Sequence, residues 1–119
     1  AAHDIGRVIN PLSLSGQIEG GVMMGLSLAL FEEFKQVGGY PLTTNLAKYR
    51  LATAADKPEI TVLFVEDPVS TGPYGAKGVG EITLIPIGAA ITNAIHNAIG
   101  GRVYCLPATP ERVLETLHR

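Results

Sequence analysis

The chain has 119 residues, of which 46% are hydrophobic and 17% charged, and its net charge is −2. That length suits one domain able to bury a core, and the composition argues against a disordered chain or a coiled coil. The absence of a basic run argues against nucleic acid or an anionic membrane as the main partner, while the single cysteine, Cys105, excludes an internal disulfide framework and fits a reducing, cytoplasmic setting.

The sequence opens Ala1-Ala2-His3-Asp4, without a methionine, and enters a strand-like pattern at once, as expected of a piece of a longer protein or a processed subunit. Residues 4–9 read as a short strand ended by Asn10-Pro11. Ser13 and Ser15 are candidate caps for a long helix over 16–36, where Ile18, Val22, Leu26, Leu30 and Phe34 recur every fourth position. Gly16, Gly20, Gly21 and Gly25 interrupt that helix, each at a cost of about 1 kcal/mol relative to alanine. Their expected use is to let another backbone or a flat ligand come close. The unbroken apolar run from Gly21 to Phe31, 11 residues, is too short to span a bilayer.

Gly38-Gly39 are expected to close this helix. A weakly patterned stretch, 43–55, follows, with Tyr49 and Leu51 as its anchors and a strand or extended piece expected near 47–51. Residues 59–66, Glu-Ile-Thr-Val-Leu-Phe-Val-Glu, form the clearest strand pattern, and the apolar centre predicts burial on both faces. A second helix over 83–99 is predicted from Ile87, Ile91, Ile95 and Ile99, with Pro86 in its first turn and Gly100-Gly101 as its stop. Residues 102–106 read as a short strand. Thr109 then caps a last helix that has Pro110 at its first position and reaches Leu117. The fold expected is α+β: a small mixed sheet packed with two principal helices and a short C-terminal helix, one domain over 1–119.

Between the strand and the second helix lies Gly72-Pro-Tyr-Gly75-Ala-Lys77-Gly78-Val79-Gly80-Glu81. Four glycines, a lysine and a nearby helix start favour an anion such as a phosphate. The order fits neither the P-loop nor the dinucleotide fingerprint, because Lys77 precedes Gly78 and Gly80 is followed by Glu-Ile-Thr. Glu81 would sit at or just before the helix start and is the residue suited to chemistry. Taken alone, the same residues also describe a surface turn. Gln17, read as lying in the first turn of the glycine-rich helix, can grip a polar ligand edge or simply be solvated.

Other side chains carry less. His3, His96 and His118 are far apart in the sequence and no metal-ligand spacing occurs, so no protein-ligated metal is expected. His96 reads as a satisfied polar contact, Cys105 as a small core residue, and Met23-Met24 as core bordering a ligand.

Three stretches together resemble one family. They are Asp4-Ile-Gly-Arg-Val-Ile-Asn10-Pro11 with Gly16-Gln17-Ile-Glu19-Gly20-Gly21, the loop 72–81, and Asn93 to Gly100 running on to Leu106-Pro-Ala-Thr-Pro110. The pattern is similar to the C-terminal part of the molybdopterin-binding catalytic subunit of the molybdenum hydroxylases, the xanthine dehydrogenase and aldehyde oxidoreductase family. The resemblance covers nearly the whole chain, and the loop is its most specific part. It implies Glu81 as the general base at the molybdenum site. It implies Lys77, Gly78 and Val79 as residues lining the pterin, and Gln17 as a hydrogen-bonding partner of molybdopterin. The implied reaction is hydroxylation of an N-heterocycle or oxidation of an aldehyde, with water as oxygen source. The cofactor implied is molybdopterin, its cytosine dinucleotide form included. Iron–sulfur clusters and FAD would sit on partner chains or domains of an oligomeric assembly, together with the remainder of the molybdenum subunit. One departure is that Tyr49 is followed by Arg-Leu-Ala-Thr53, where family members often carry a proline-threonine pair. The chain by itself is expected to be inactive. A cofactor-free binding or assembly module that keeps the fold is the alternative, separable by the metal and pterin content of the native complex.

Overall fold

In the computed structural model, which describes residues 1–118, the elements run β1 (Ala2–Asp4), α1 (Pro11–Leu30), β2 (Gln36–Val37), β3 (Tyr40–Pro41), β4 (Leu63–Val65), α2 (Ile87–Ile99) and α3 (Pro110–Leu117). The class is α+β, with β1 and β4 paired in parallel and β2 and β3 forming an antiparallel hairpin.

Helix α1 starts earlier than residue 16. The Asn10 side chain accepts from the Ser13 N–H at 3.1 Å, and Pro11 supplies a first position whose φ is preset and whose missing donor is not needed there. Ser13 and Ser15 therefore lie inside the helix. It also ends earlier, at Leu30, where the N–H groups of Phe31 and Glu32 both donate to the Ser27 carbonyl, at 2.9 and 3.0 Å. Gly38 and Gly39, with φ of +56° and +83°, do not cap it. They form the two-residue turn between β2 and β3, where two successive positive φ values match the twist of a hairpin.

No strand forms at 47–51. That stretch is tied instead to the end of α1: the Tyr49 hydroxyl donates to Glu32 Oε2 at 2.8 Å, the Ala52 N–H to Ser27 Oγ at 2.9 Å, and the Arg50 guanidinium lies over the Phe31 ring. Tyr49 is thus an anchor, whereas Leu51 is exposed. Strand β4 is shorter than 59–66 because its ladder partner β1 has only three residues. Leu63 and Val65 are exposed, so the burial expected on both faces is not found among the described residues.

Helix α2 starts at Ile87, later than 83, because residues 82–86 close turns in which Leu84 N–H donates to the Glu81 carbonyl and Ile87 N–H to the Leu84 carbonyl, each at 3.2 Å. Gly100 ends it in a left-handed conformation at φ +76°. Residues 102–106 form no strand, and Cys105 is exposed rather than core. Helix α3 is capped by Thr109 as the sequence predicts and is held by Arg112, which donates to the Pro107 carbonyl and pairs with Glu33.

Helices α1 and α2 pack through glycine. A β-carbon on Gly21 would fall on the Thr83 hydroxyl, and one on Gly25 would lie 2.6 Å from Ile87 Cβ. The fully buried apolar set is small: Ile5, Ile18, Ala29 and Ala108, with Thr83 beside it. The radius of gyration is 17.5 Å, against about 13.5 Å for a compact domain of this length. A chain long enough for a core of its own therefore leaves much apolar surface uncovered, including Leu12, Ile85 and Leu114. Among the described residues no helix is long and apolar enough to cross a membrane.

Candidate functional site

Parallel pairing of β1 and β4, with Asp4 opposite Val65, brings both strands to a common end. The ladder continues one step, Ile5 N–H to the Val65 carbonyl at 3.0 Å, and the Val8 N–H then donates to Glu66 Oε2 at 3.0 Å. The glycine-rich loop folds back onto that end. Lys77 N–H donates to the Ile5 carbonyl at 3.0 Å, and a β-carbon on Gly6 would collide with the Gly75 carbonyl and the Lys77 nitrogen. Gly6 has φ +65°, so both its backbone angle and the contact demand a residue without a side chain.

The Lys77 ammonium is paired with Asp4 and reaches Asp67 Oδ2 at 3.3 Å. Asp4 also accepts from the Gly6 N–H at 3.0 Å. The hydrogen bond to Asp4 raises the Lys77 pKa, and the bond from Lys77 lowers that of Asp4, with the Gly6 amide adding to the effect. Inside the loop the Gly75 N–H donates to the Gly72 carbonyl at 3.1 Å and the Ala76 N–H to the Pro73 carbonyl at 3.0 Å. Tyr74, between them, is held left-handed at φ +55°, a conformation uncommon for a residue with a side chain.

Beyond Lys77 the loop opens. A β-carbon on Gly78 or Gly80 would meet nothing within 4 Å. The Gln17 side chain donates from Nε2 to the Gly80 carbonyl at 2.9 Å, joining α1 to the residue before Glu81. Because α1 begins at Pro11, Gln17 stands in its second turn, so the free amides expected around it in the first turn lie several residues earlier. Glu81 is likewise not at the start of α2. The turns over 82–86 separate it from Ile87, and the α2 dipole, which acts only within about one turn, does not reach it.

Two clefts meet at the Gln17–Gly80 hydrogen bond. One, of about 530 Å³, is bounded by Ile5, Arg7, Asn10, Lys77 and Val79. The other, of about 350 Å³, is bounded by Gly20, Gly21, Met24, Glu81 and Leu84. Gln17 and Gly80 border both. The structure thus gathers Gln17, Lys77, Val79 and Glu81 around one ridge, with Gly78 exposed on the loop between Lys77 and Val79. Glu81 is exposed to its cleft, and among the described residues no ion pair involves it. Among the same residues there is no group of three or more His, Cys, Asp or Glu that could hold a metal. Asp4 and Gly6 were not singled out as site residues by sequence reasoning. Asp4 and Lys77 are 73 positions apart, and no local pattern connects them.

Residues 1–58 match the molybdopterin cofactor-binding domain family. The chain is 41% identical over 118 residues to the xanthine dehydrogenase molybdenum-binding subunit of Escherichia coli O157:H7, covering 98% of this chain and 16% of that protein. It is 45% identical over 114 residues to the gamma subunit of the 6-hydroxypseudooxynicotine dehydrogenase complex of Paenarthrobacter nicotinovorans, covering 92% of this chain and 14% of that protein. The structure of quinoline 2-oxidoreductase from Pseudomonas putida 86 superposes with a TM-score of 0.92 at 32% identity, over 99% of this chain and 16% of that one. The chain therefore spans only about one sixth of the relatives it matches. Over nearly all its length the chain is therefore homologous to part of the molybdenum-binding subunits of xanthine dehydrogenases and aldehyde oxidoreductases, and its first 58 residues match the molybdopterin cofactor-binding domain family.

Proposed function

We propose that this stretch supplies the general base and part of the pterin-lining wall to a molybdenum-dependent hydroxylase acting on an N-heterocycle or an aldehyde. The observation that carries the reading is that Gln17 is hydrogen-bonded to the residue immediately before Glu81, so that one amide and one carboxylate border the same cleft. The residues suit a flat, polar-edged group. Gly16, Gly20, Gly78 and Gly80 leave backbone open on both sides of the ridge, and the Gln17 amide oxygen has no partner among the described residues.

Each residue then has a part. Gln17 fixes the Gly80 carbonyl and offers its amide oxygen to a ring N–H. Lys77, Gly78 and Val79 line the pterin, the first through its backbone and stem. Glu81 takes up a proton on its carboxylate during hydroxylation, a task open to an exposed side chain that pairs with no cation among the described residues. Bound molybdopterin would supply a metal able to accept two electrons from the substrate, with water as the source of the inserted oxygen. Iron–sulfur clusters and FAD would sit on partner chains or domains of a cytoplasmic complex as the onward electron acceptors. The cytosine dinucleotide is one form the pterin takes in this reading. Residues 1–119 act as one unit of the subunit and are inactive alone, since the substrate pocket and the other cofactor contacts lie elsewhere.

The test is turnover per molybdenum atom in the complete complex. Glu81→Gln keeps the shape and removes the base, and the expected loss is about 10²–10⁴-fold with molybdenum content unchanged. Near-normal turnover per metal would make the carboxylate structural. Absence of molybdenum and pterin from the native complex would leave the assembly-module reading in place.

A further inference from the structure

The Lys77 ammonium is the cation nearest the loop, yet its geometry does not point it at a ligand. It is committed to Asp4 at the end of β1 and reaches Asp67 across the loop. We propose that Asp4 is a positioning residue of the loop 72–81, acting through Lys77 to hold the backbone that presents Val79, Gly80 and Glu81 to the clefts.

Three observations converge on Asp4. Its Oδ1 accepts from the Gly6 N–H at 3.0 Å, which stabilises the left-handed bend at Gly6. Its Oδ2 takes the Lys77 ammonium. One residue on, just past β1, the Ile5 carbonyl takes the Lys77 backbone N–H at 3.0 Å, so the main chain and the side chain of Lys77 are held by consecutive residues at the end of that strand. The Gly75 carbonyl and Lys77 nitrogen then rest against Gly6 with no room for a β-carbon. A loop gripped at backbone and side chain by one strand end has little freedom to slide, and the Gln17–Gly80 bond fixes it again three residues later. Asp67 is the lesser partner: its bond is longer, 3.3 Å, and its carboxylate is 78% exposed against 44% for Asp4. Charge-assisted bonds between groups of this kind are the strong and directional ones. An ammonium so engaged is not free to neutralise a ligand phosphate. The contribution of Lys77 to a bound pterin is therefore its backbone and stem.

This inference rests on the cofactor reading for its consequence, but not for its existence. The experiment is a double-mutant cycle in the full-length subunit within its complex: Asp4→Asn, Lys77→Met and the pair, with Asp67→Asn and Lys77→Arg alongside. Asp4→Asn keeps an acceptor for the Gly6 N–H, so the strand end stays formed. Two quantities are read, amide hydrogen exchange over residues 74–80 with α3 as internal reference, and molybdenum with releasable pterin per subunit. Each single variant is expected to speed loop exchange by up to about fivefold without affecting α3, and the double variant to be no worse than either. Asp67→Asn should have less effect and Lys77→Arg should stay near wild type. Pterin retention should fall in parallel with loop protection. Two results would overturn the proposal. One is additive losses, with Lys77→Met costing as much pterin in the Asp4→Asn background as in the wild type, which would place the ammonium on the ligand. The other is unchanged loop exchange in Asp4→Asn. If the wild-type complex holds no molybdenum or pterin, the cofactor reading fails while loop exchange still decides the role of Asp4.

Discussion

Replacing Gly21 by alanine tests the packing that sets the distance between α1 and the segment carrying Glu81. The new β-carbon would fall on the Thr83 hydroxyl and lie 2.7 Å from Thr83 Cβ and 3.5 Å from the Leu84 nitrogen. Thr83 is fully buried, so its side chain cannot swing into solvent, and the two segments must separate. Overpacking of this kind costs about 1–3 kcal/mol, and alanine returns about 1 kcal/mol of helix propensity. The net loss, up to about 2 kcal/mol, corresponds to a rise in local opening of up to about thirtyfold. Gly20→Ala, one residue away, meets nothing within 4 Å and should instead protect the helix through propensity alone. Hydrogen exchange of the α1 and α2 amides in the full-length subunit measures both. Thr83→Ala in the Gly21→Ala background should restore part of the loss, because it removes the hydroxyl from the overlap. Equal tolerance of alanine at positions 20 and 21 would refute the packing argument. Gly20→Ala carries a second expectation: if the open glycine face receives the pterin, retention of pterin falls in this variant even though the helix is better protected.

Two further expectations follow from the same geometry. The Asp4 carboxyl is held below its ordinary range by Lys77 first and the Gly6 amide second, so its stabilising effect is present above the ordinary aspartate pKa and is lost as pH falls through the lowered value. The Lys77 pKa is raised, chiefly by Asp4, so its effect is present below the ordinary lysine pKa and is lost as pH rises through the raised value. Loop exchange over 74–80, corrected for intrinsic rates, should therefore be flat from about pH 5 to 9 and accelerate outside that window, whereas a midpoint near neutrality would point to a different anchor. The isolated chain should self-associate, because Leu12, Ile85, Leu114 and other apolar side chains are uncovered. Sedimentation showing a strictly monomeric species at high concentration would contradict this.

What the sequence conveyed and what it did not can be separated by range. The cap at Thr109-Pro110 and the stop at Gly100 are local chemistry and read correctly. Asn10-Pro11 carried the same kind of signal, an N-cap followed by proline at the first position, but also fits the end of a strand, and the helix won because Asn10 found the Ser13 amide. Gly38-Gly39 fits a helix stop or a hairpin turn. The pairing of Val37 with Tyr40 decided for the turn. Burial of 59–66 was not legible, since the apolar run records what would cover the strand and not whether this chain contains it. The contacts between Asp4 and Lys77 and between Gln17 and Gly80 span 73 and 63 positions, beyond any local pattern.

The glycines show how a fold and a site can be told apart within one motif. Gly6, Gly21 and Gly25 are used up by the protein itself: each touches loop backbone or a side chain where a β-carbon would collide. A β-carbon on Gly16, Gly20, Gly78 or Gly80 would meet nothing within 4 Å. In α1, two such open glycines weaken the helix by about 1 kcal/mol each, with no packing inside the chain to offset it. A turn does not require Gly78 or Gly80 either, since neither has positive φ. All four lie within three positions of Gln17 or Glu81 in the sequence, and Gly20 and Gly80 border the cleft those two residues share, leaving bare backbone beside an amide and a carboxylate. Interior packing explains the first set completely. The second set has no such partner inside the chain, which is what the proposed seating of a ligand beside Gln17 and Glu81 would require of it.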